Sequence, residues 1–186
     1  MICLVPGILG FLACCIFDIN KIRWKTRIFN SFFLLGSLLL IVSSIWCVVP
    51  VNWNVLIVDF SLYKGCMLAG LIGSCIGLAY ALFFSLPFND TYKERKHLLV
   101  VDQGLYGICR HPGFWMLALV YFFLWQFFGN EKLMYAFFVF NLCNLLYIIV
   151  QDAYIFPRYM HGYQEYKKRT PFLIPTMESI KHMRGR

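Results

Sequence analysis

Charge is scarce in this chain. Asp, Glu, Lys and Arg make up 14% of its 186 residues, and only nine side chains are acidic. Soluble domains carry roughly a quarter charged residues, so a surface bathed in water on all sides is excluded. The signatures of several reaction classes are also missing. There is no glycine-rich phosphate loop and no serine-nucleophile signature, and no His, Cys, Asp and Glu set has zinc-type spacing. No basic segment precedes the first apolar run and no A-x-A site closes it, so it reads as a retained span and not a signal peptide. Internal repeats and low-complexity stretches are absent too.

Apolar residues are plentiful. They make up 60% of the chain, and the mean hydropathy is +0.66. This predicts an all-α integral membrane protein of one compact domain. Five apolar runs cover residues 2–17, 28–49, 65–88, 113–128 and 133–150. The first falls short of the roughly 20 residues that cross a bilayer squarely. Pro50 ends the second, and residues 51–63 form an outer connection with Trp46, Trp53 and Tyr63 as interfacial anchors. The eight cysteines lie mostly inside the apolar runs, with Cys14 and Cys15 adjacent, and read as small buried hydrophobes.

The net charge of +8 raises nucleic acid as a partner, but its distribution points elsewhere. Lys21, Arg23, Lys25 and Arg27 follow the first run. Lys93, Arg95, Lys96 and Arg110 follow the third, and Arg158, Lys167, Lys168, Arg169, Lys181, Arg184 and Arg186 follow the fifth. Alternate connections are basic, the positive-inside pattern for five spans with a cytoplasmic C-terminus. The charge therefore serves topology and anionic headgroups, not nucleic acid.

In the third run Gly65, Ala69, Gly73, Gly77, Ala81 and Ser85 recur every fourth residue, a small-residue stripe that allows close helix packing, within the chain or in a homodimer. The polar residues 89–103 then lead into GLYGICRHPGF at 104–114. Pro112 is suited to a first helical position, which sets Arg110 and His111 at a helix N-terminus, where an anionic ligand group is favoured. The fourth and fifth spans are joined by Gly129, Asn130, Glu131 and Lys132 alone, so they form an antiparallel hairpin. Its open end gathers Arg110 and His111 with Gln151 and Asp152 on one membrane face. Arg110 is either a snorkelling anchor or a fork for a carboxylate, and His111 either a structural histidine or a functional one. Asp152, at a span end, needs a partner, either a tail lysine or a ligand group. In the tail Tyr159, Tyr163 and Tyr166 share a face at helical spacing, while Glu165 and Glu178 read as solvated.

The stretch Gly104-x-Tyr106-x-x-x-Arg110-His111-Pro112-x-Phe114 resembles the G-x-Y-x-x-x-R-H-P-x-Y motif of membrane-embedded methyltransferases. That group includes isoprenylcysteine carboxyl methyltransferase and the phospholipid N-methyltransferases. Residues 163–171, YQEYKKRTP, are similar to the family's Y-x-E-Y-K-K-R-x-P ending, and the likeness covers roughly residues 93–175. Residues 1–90 read as three N-terminal spans from their apolar runs, and the resemblance implies residues 91–186 as a catalytic region whose cytoplasmic tail covers the cofactor. It implies S-adenosylmethionine as cofactor, contacted by Tyr106, His111, Pro112, Gly113 and Phe114. His97, Leu98, Leu99 and Val100 resemble the family's H-x-L-V stretch with one extra residue before Gly104, which adds Leu99 and Val100. Gln151 and Asp152 stand where the family has an acidic pair. Tyr147 stands where it has an arginine facing a prenylcysteine substrate. The implied reaction is methyl transfer to a lipophilic or small hydrophobic acceptor, with Arg110 and His111 as the catalytic residues. His111 is the candidate base if the acceptor is an amine. A nicotinamide-dependent membrane reductase of related design and a non-catalytic membrane protein remain as alternatives.

Overall fold

Inside hydrocarbon a backbone amide finds no water, so long apolar runs satisfy their hydrogen bonds within helices. The structure, a computed structural model describing residues 1–49, 61–84, 98–100 and 102–184, is accordingly helical almost throughout those residues. Helix Val5–Ile22 (α1) follows a 3-10 turn, and Phe32–Val48 (α2) follows another. Leu62–Ala79 (α3) starts on a Ser61 cap and widens into a π-helical turn at Tyr80–Phe84. Leu98–Leu99 (β1) precedes the short helix Leu105–Ile108 (α4), then Pro112–Phe128 (α5) and Glu131–Val150 (α6). A second π-helical turn, Gln151–Ile155, carries α6 into Phe156–Tyr159 (α7). Met160–His161 (β2) pairs in parallel with β1, and Tyr163–Arg169 (α8) and Met177–Arg184 (α9) complete the tail.

Among the described residues four helices are long and apolar enough to cross a membrane: Ile2–Ile22, Ile28–Val48, Leu62–Leu82 and Glu131–Tyr159. The fifth expected span, α5, has 17 residues and extends about 25 Å, short of a hydrocarbon core of about 30 Å. The first helix runs past the predicted boundary at residue 17. Asp18 and Asn20 are buried inside its last turns, so the hydropathy ends before the helix does. Asn20 closes the helix end by donating to the Thr26 carbonyl at 2.9 Å and accepting from the Thr26 amide at 3.0 Å. Pro50, Trp53, most of the outer connection, Ser85, the polar residues 89–97 and Val101 lie outside the described residues.

Packing centres on α6, which touches α1, α2 and α5, while α3 lies against α5. Leu133, Ala136 and Phe140 of α6 meet Phe11, Cys47 and Tyr121 in the main core. The backbones of α1 and α2 approach at Gly10 and Gly36, where a Cβ on either would lie 2.6 Å from the other's carbonyl oxygen. The outward faces are apolar: Leu34, Leu38, Ile41 and Ile45 on α2, Ile72 and Ile76 on α3, and Phe138, Leu142 and Leu146 on α6 are all more than half exposed. Such belts on several long helices are those of a multi-pass membrane protein.

The turn between α5 and α6 is as tight as expected. Gly129 adopts the left-handed conformation, and the Asn130 side chain accepts from the Lys132 amide at 2.8 Å. Two expectations need correction. The small-residue row of α3 does not keep to one face, because each step of four residues turns about 40° around a 3.6-residue helix. Gly77 meets Met116 of α5 and Ala81 is buried, whereas Ala69 and Gly73 point outward. The cysteines are all free, and Cys66 and Cys75 lie exposed on the outer face of α3 instead of buried.

Candidate functional site

The chain reaches the site through a sharp change of direction at Gly104, whose φ of +58° belongs to a region where a side chain is strained. One turn of α4 follows, then Cys109 in extended conformation and His111 as the residue capping α5, with Pro112 at its first position. The Arg110 amide donates to the Pro171 carbonyl at 2.9 Å, which ties the start of α5 to the tail. Its guanidinium is buried, 8% exposed, and continues the stitching. Nη1 donates to the carbonyls of Lys167 at 3.0 Å and Thr170 at 3.1 Å, and Nη2 to Asp152 Oδ2 at 3.3 Å.

Asp152, the second residue of the π-helical turn, is the hub. Arg110 Nε lies 2.8 Å from its Oδ1, and Lys167 Nζ lies 2.7 Å from its Oδ2. Tyr163 OH donates to Oδ1 at 2.7 Å. The hairpin and the tail thus bring residues far apart in sequence onto one carboxylate. Two cations face a single anion, which leaves the cluster one positive charge in excess. The tail lysine named as a possible partner for Asp152 is Lys167.

His111 lies against this hub between two rings, stacked on Phe156 at 5.8 Å and edge-on to Phe172 at 5.1 Å. Its Nε2 is 3.6 Å from Asp152 Oδ1, beyond hydrogen-bond reach, and it is buried without a partner. Arg110 Nε is likewise without an aligned hydrogen bond despite its close ion pair. Burial lowers the pKa of His111, and the Arg110 and Lys167 charges act the same way, while the nearby Asp152 carboxylate opposes them. The net effect keeps the imidazole neutral at pH 7.

The remaining candidates surround this cluster. Tyr106 donates to the Ala81 carbonyl at 3.1 Å, and its own carbonyl accepts from Tyr166 OH at 2.7 Å. Burial pushes its phenol up to about 12. Burial also raises Tyr163 and Tyr166, and the Asp152 carboxylate adds to the rise at Tyr163. All three remain hydrogen-bond donors across the ordinary pH range. Pro112 is buried, Gly113 and Phe114 are half-buried, and the neighbouring Trp115 indole donates to the Leu173 carbonyl at 2.9 Å. Leu99 belongs to β1 opposite His161, with its side chain outside the described part, and Val100 is half-buried. No hydrogen bond or ion pair among the described residues joins Val100 or Phe114 to Asp152. Tyr159 parts from the predicted tyrosine face, because β2 and Gly162, at φ +80°, separate it from Tyr163 and Tyr166.

Gln151 turns the other way. Its Nε2 donates to Asp18 Oδ2 at 2.7 Å, and Tyr147 OH donates to the same oxygen at 2.6 Å. Asp18 is 5% exposed, with Lys21 Nζ 3.7 Å from its other oxygen and 4.2 Å from the Phe17 ring centre. Asp18 lies outside the motifs that mark the site in the sequence. The available signal was a lone carboxylate at the end of the first apolar run, three residues before a lysine. No family model, curated protein or solved structure matches this chain.

Proposed function

We propose that this chain is a five-span methyltransferase that binds S-adenosylmethionine beneath its tail and methylates a lipophilic or small hydrophobic acceptor. The observation that carries the reading is the cluster of Arg110, His111, Tyr163 and Lys167 around the buried Asp152 at the open end of an apolar hairpin. An amino-acid end carries one carboxylate and one ammonium. A site with one carboxylate, two cations, a helix N-terminus and an unpartnered buried imidazole nitrogen fits both charges. Arg110 and the start of α5 would hold the carboxylate and Asp152 the ammonium, with Tyr106, Pro112, Gly113 and Phe114 forming the wall beside them. When bound, the cofactor supplies an already activated sulfonium methyl group.

The chain's own residues then have limited tasks: alignment, shielding and control of one proton. Phe156, Phe172 and the tail segment 163–171 exclude water from the cluster. His111, neutral and with a free Nε2, can accept a proton from an amine acceptor, and a carboxylate or thiolate acceptor needs no base. The basic residues beside α1, α5 and the tail support a cytoplasmic position for this end by the positive-inside rule.

A non-catalytic reading has one observation in its favour, because the protein's own groups already satisfy both Asp152 oxygens. The nicotinamide alternative needs spare cations for a 2′-phosphate. Lys167 is committed to Asp152, and Lys168 lies 2.9 Å from Glu165. Calorimetric titration of the detergent-purified protein with S-adenosylmethionine, alongside NADPH, tests all three. Micromolar binding of the first alone, lost in both Arg110→Ala and Asp152→Ala, is the expected result. Binding unchanged in both variants refutes the site, NADPH binding alone selects the reductase, and binding of neither selects the non-catalytic reading.

A further inference from the structure

From the Asp18 contacts we infer that this first-helix carboxylate is a positioning residue for the site, acting through Gln151 on Asp152; the inference rests on the methyltransferase reading for its ligand. Tyr147 and Gln151 lie one helical turn apart at the end of α6, and both donate to the same oxygen of Asp18. Immediately afterwards the helix widens, and the Phe156 amide bonds back five residues to the Gln151 carbonyl. A π-helical turn is an isolated irregularity in an α-helical ladder, and such turns gather at functional sites. This one is fixed at both ends. At its far end Ile155, the last residue of the turn, is 1% exposed, and the following Phe156 stacks on His111. Before it, the fixed point is Asp18.

Gln151 and Asp152 are consecutive, so their Cα atoms stand about 3.8 Å apart. A rotation that frees the Gln151 side chain swings the Asp152 carboxylate away from Arg110 and Lys167. Asp18 itself makes no hydrogen bond or ion pair to Arg110, His111 or Lys167 among the described residues, so its influence passes through the shared backbone. A carboxylate at a span end is costly unless paired. Here two neutral donors and Lys21 compensate it, and the arrangement links α1 to the site. The N-terminal helices are thereby part of the site's geometry, beyond serving as membrane anchors.

A donor–acceptor exchange tests the inference. Gln151→Glu sets a second carboxylate against Asp18. Adding Asp18→Asn restores one donor and one acceptor with their places reversed. Full-length protein in detergent is compared as wild type, each single variant and the pair. One readout is calorimetric S-adenosylmethionine binding; the other is amide hydrogen exchange of residues 151–156, which needs no ligand. Gln151→Glu is expected to weaken binding and amide protection at least tenfold, and the pair to return both to within about threefold of wild type. Recovery in the pair from a poorly folded single variant equally supports the coupling. A Gln151→Glu protein indistinguishable from wild type, or a pair no better than Gln151→Glu, overturns it. Recovered protection in a protein that binds no S-adenosylmethionine refutes the methyltransferase reading and leaves Asp18 as the residue that positions Asp152.

Discussion

His111 sits at a point where geometry and protonation meet. Its ring is held between Phe156 and Phe172, and its Nε2 faces Asp152 without reaching it. Burial lowers its pKa from the ordinary 6.5, so an unpacked His111 binds a proton more readily than the packed one. The sign follows from linkage: the neutral ring's contribution is fully present above pH 6.5 and is lost as pH falls through the lowered value. Thermal unfolding of the detergent-purified protein should therefore show a melting temperature that drops between pH 7 and pH 5. A His111→Gln variant, which cannot titrate, should show a shallower drop over the same interval. An equal slope in both proteins would assign the pH dependence to groups other than His111.

Among the elements, the α1–α2 pair is sensitive to volume because backbone meets backbone there. Gly10 and Gly36 let the two backbones meet, and each would put a Cβ 2.6 Å from the opposing carbonyl. Backbone cannot yield as a flexible side chain does, so a Gly36→Val protein must push the helices apart, at a cost of about 1–3 kcal/mol or more. A lower melting temperature with unchanged helical circular dichroism is the expected result. The hairpin of α5 and α6 was legible in sequence because a very short turn leaves two helices no other arrangement, and Arg110 then had to meet Asp152. The end of α1 was not legible. A hydropathy run stops at the first polar residue, whereas the helix continues as long as those polar side chains find partners, as Asp18 and Asn20 do. The tyrosine row failed for a different reason: helical spacing says nothing of a left-handed glycine such as Gly162, which resets the phase between Tyr159 and Tyr163. Gln151 shows the same limit within the site, since sequence placed it beside Asp152 but could not tell which way its side chain turned.

The molecule as a whole has two unlike ends. At one end α1, α5, α6 and the tail converge on two carboxylates, Asp18 and Asp152, surrounded by Lys21, Arg110 and Lys167. The other end holds the α5–α6 turn, where the Asn130 amide donates to the Cys47 carbonyl at 2.9 Å. Positive charge gathered at one end predicts that end's sidedness. A reporter fused after Arg186 that is active only in the cytoplasm should therefore be active, and one that requires export should be silent. The reverse pattern would place the cluster outside. The convergence also governs events in time. Since Lys167 already holds Asp152, on the proposed methyltransferase reading the ammonium of incoming S-adenosylmethionine reaches that carboxylate only after the lysine lets go. Lys167 is 36% exposed, so it can swing out while Tyr163 and Tyr166 keep α8 in place. Arrival is then a two-step exchange: supplying more ligand hastens it only until lysine departure sets the pace, and from there the observed association rate levels off at a value that belongs to the protein alone.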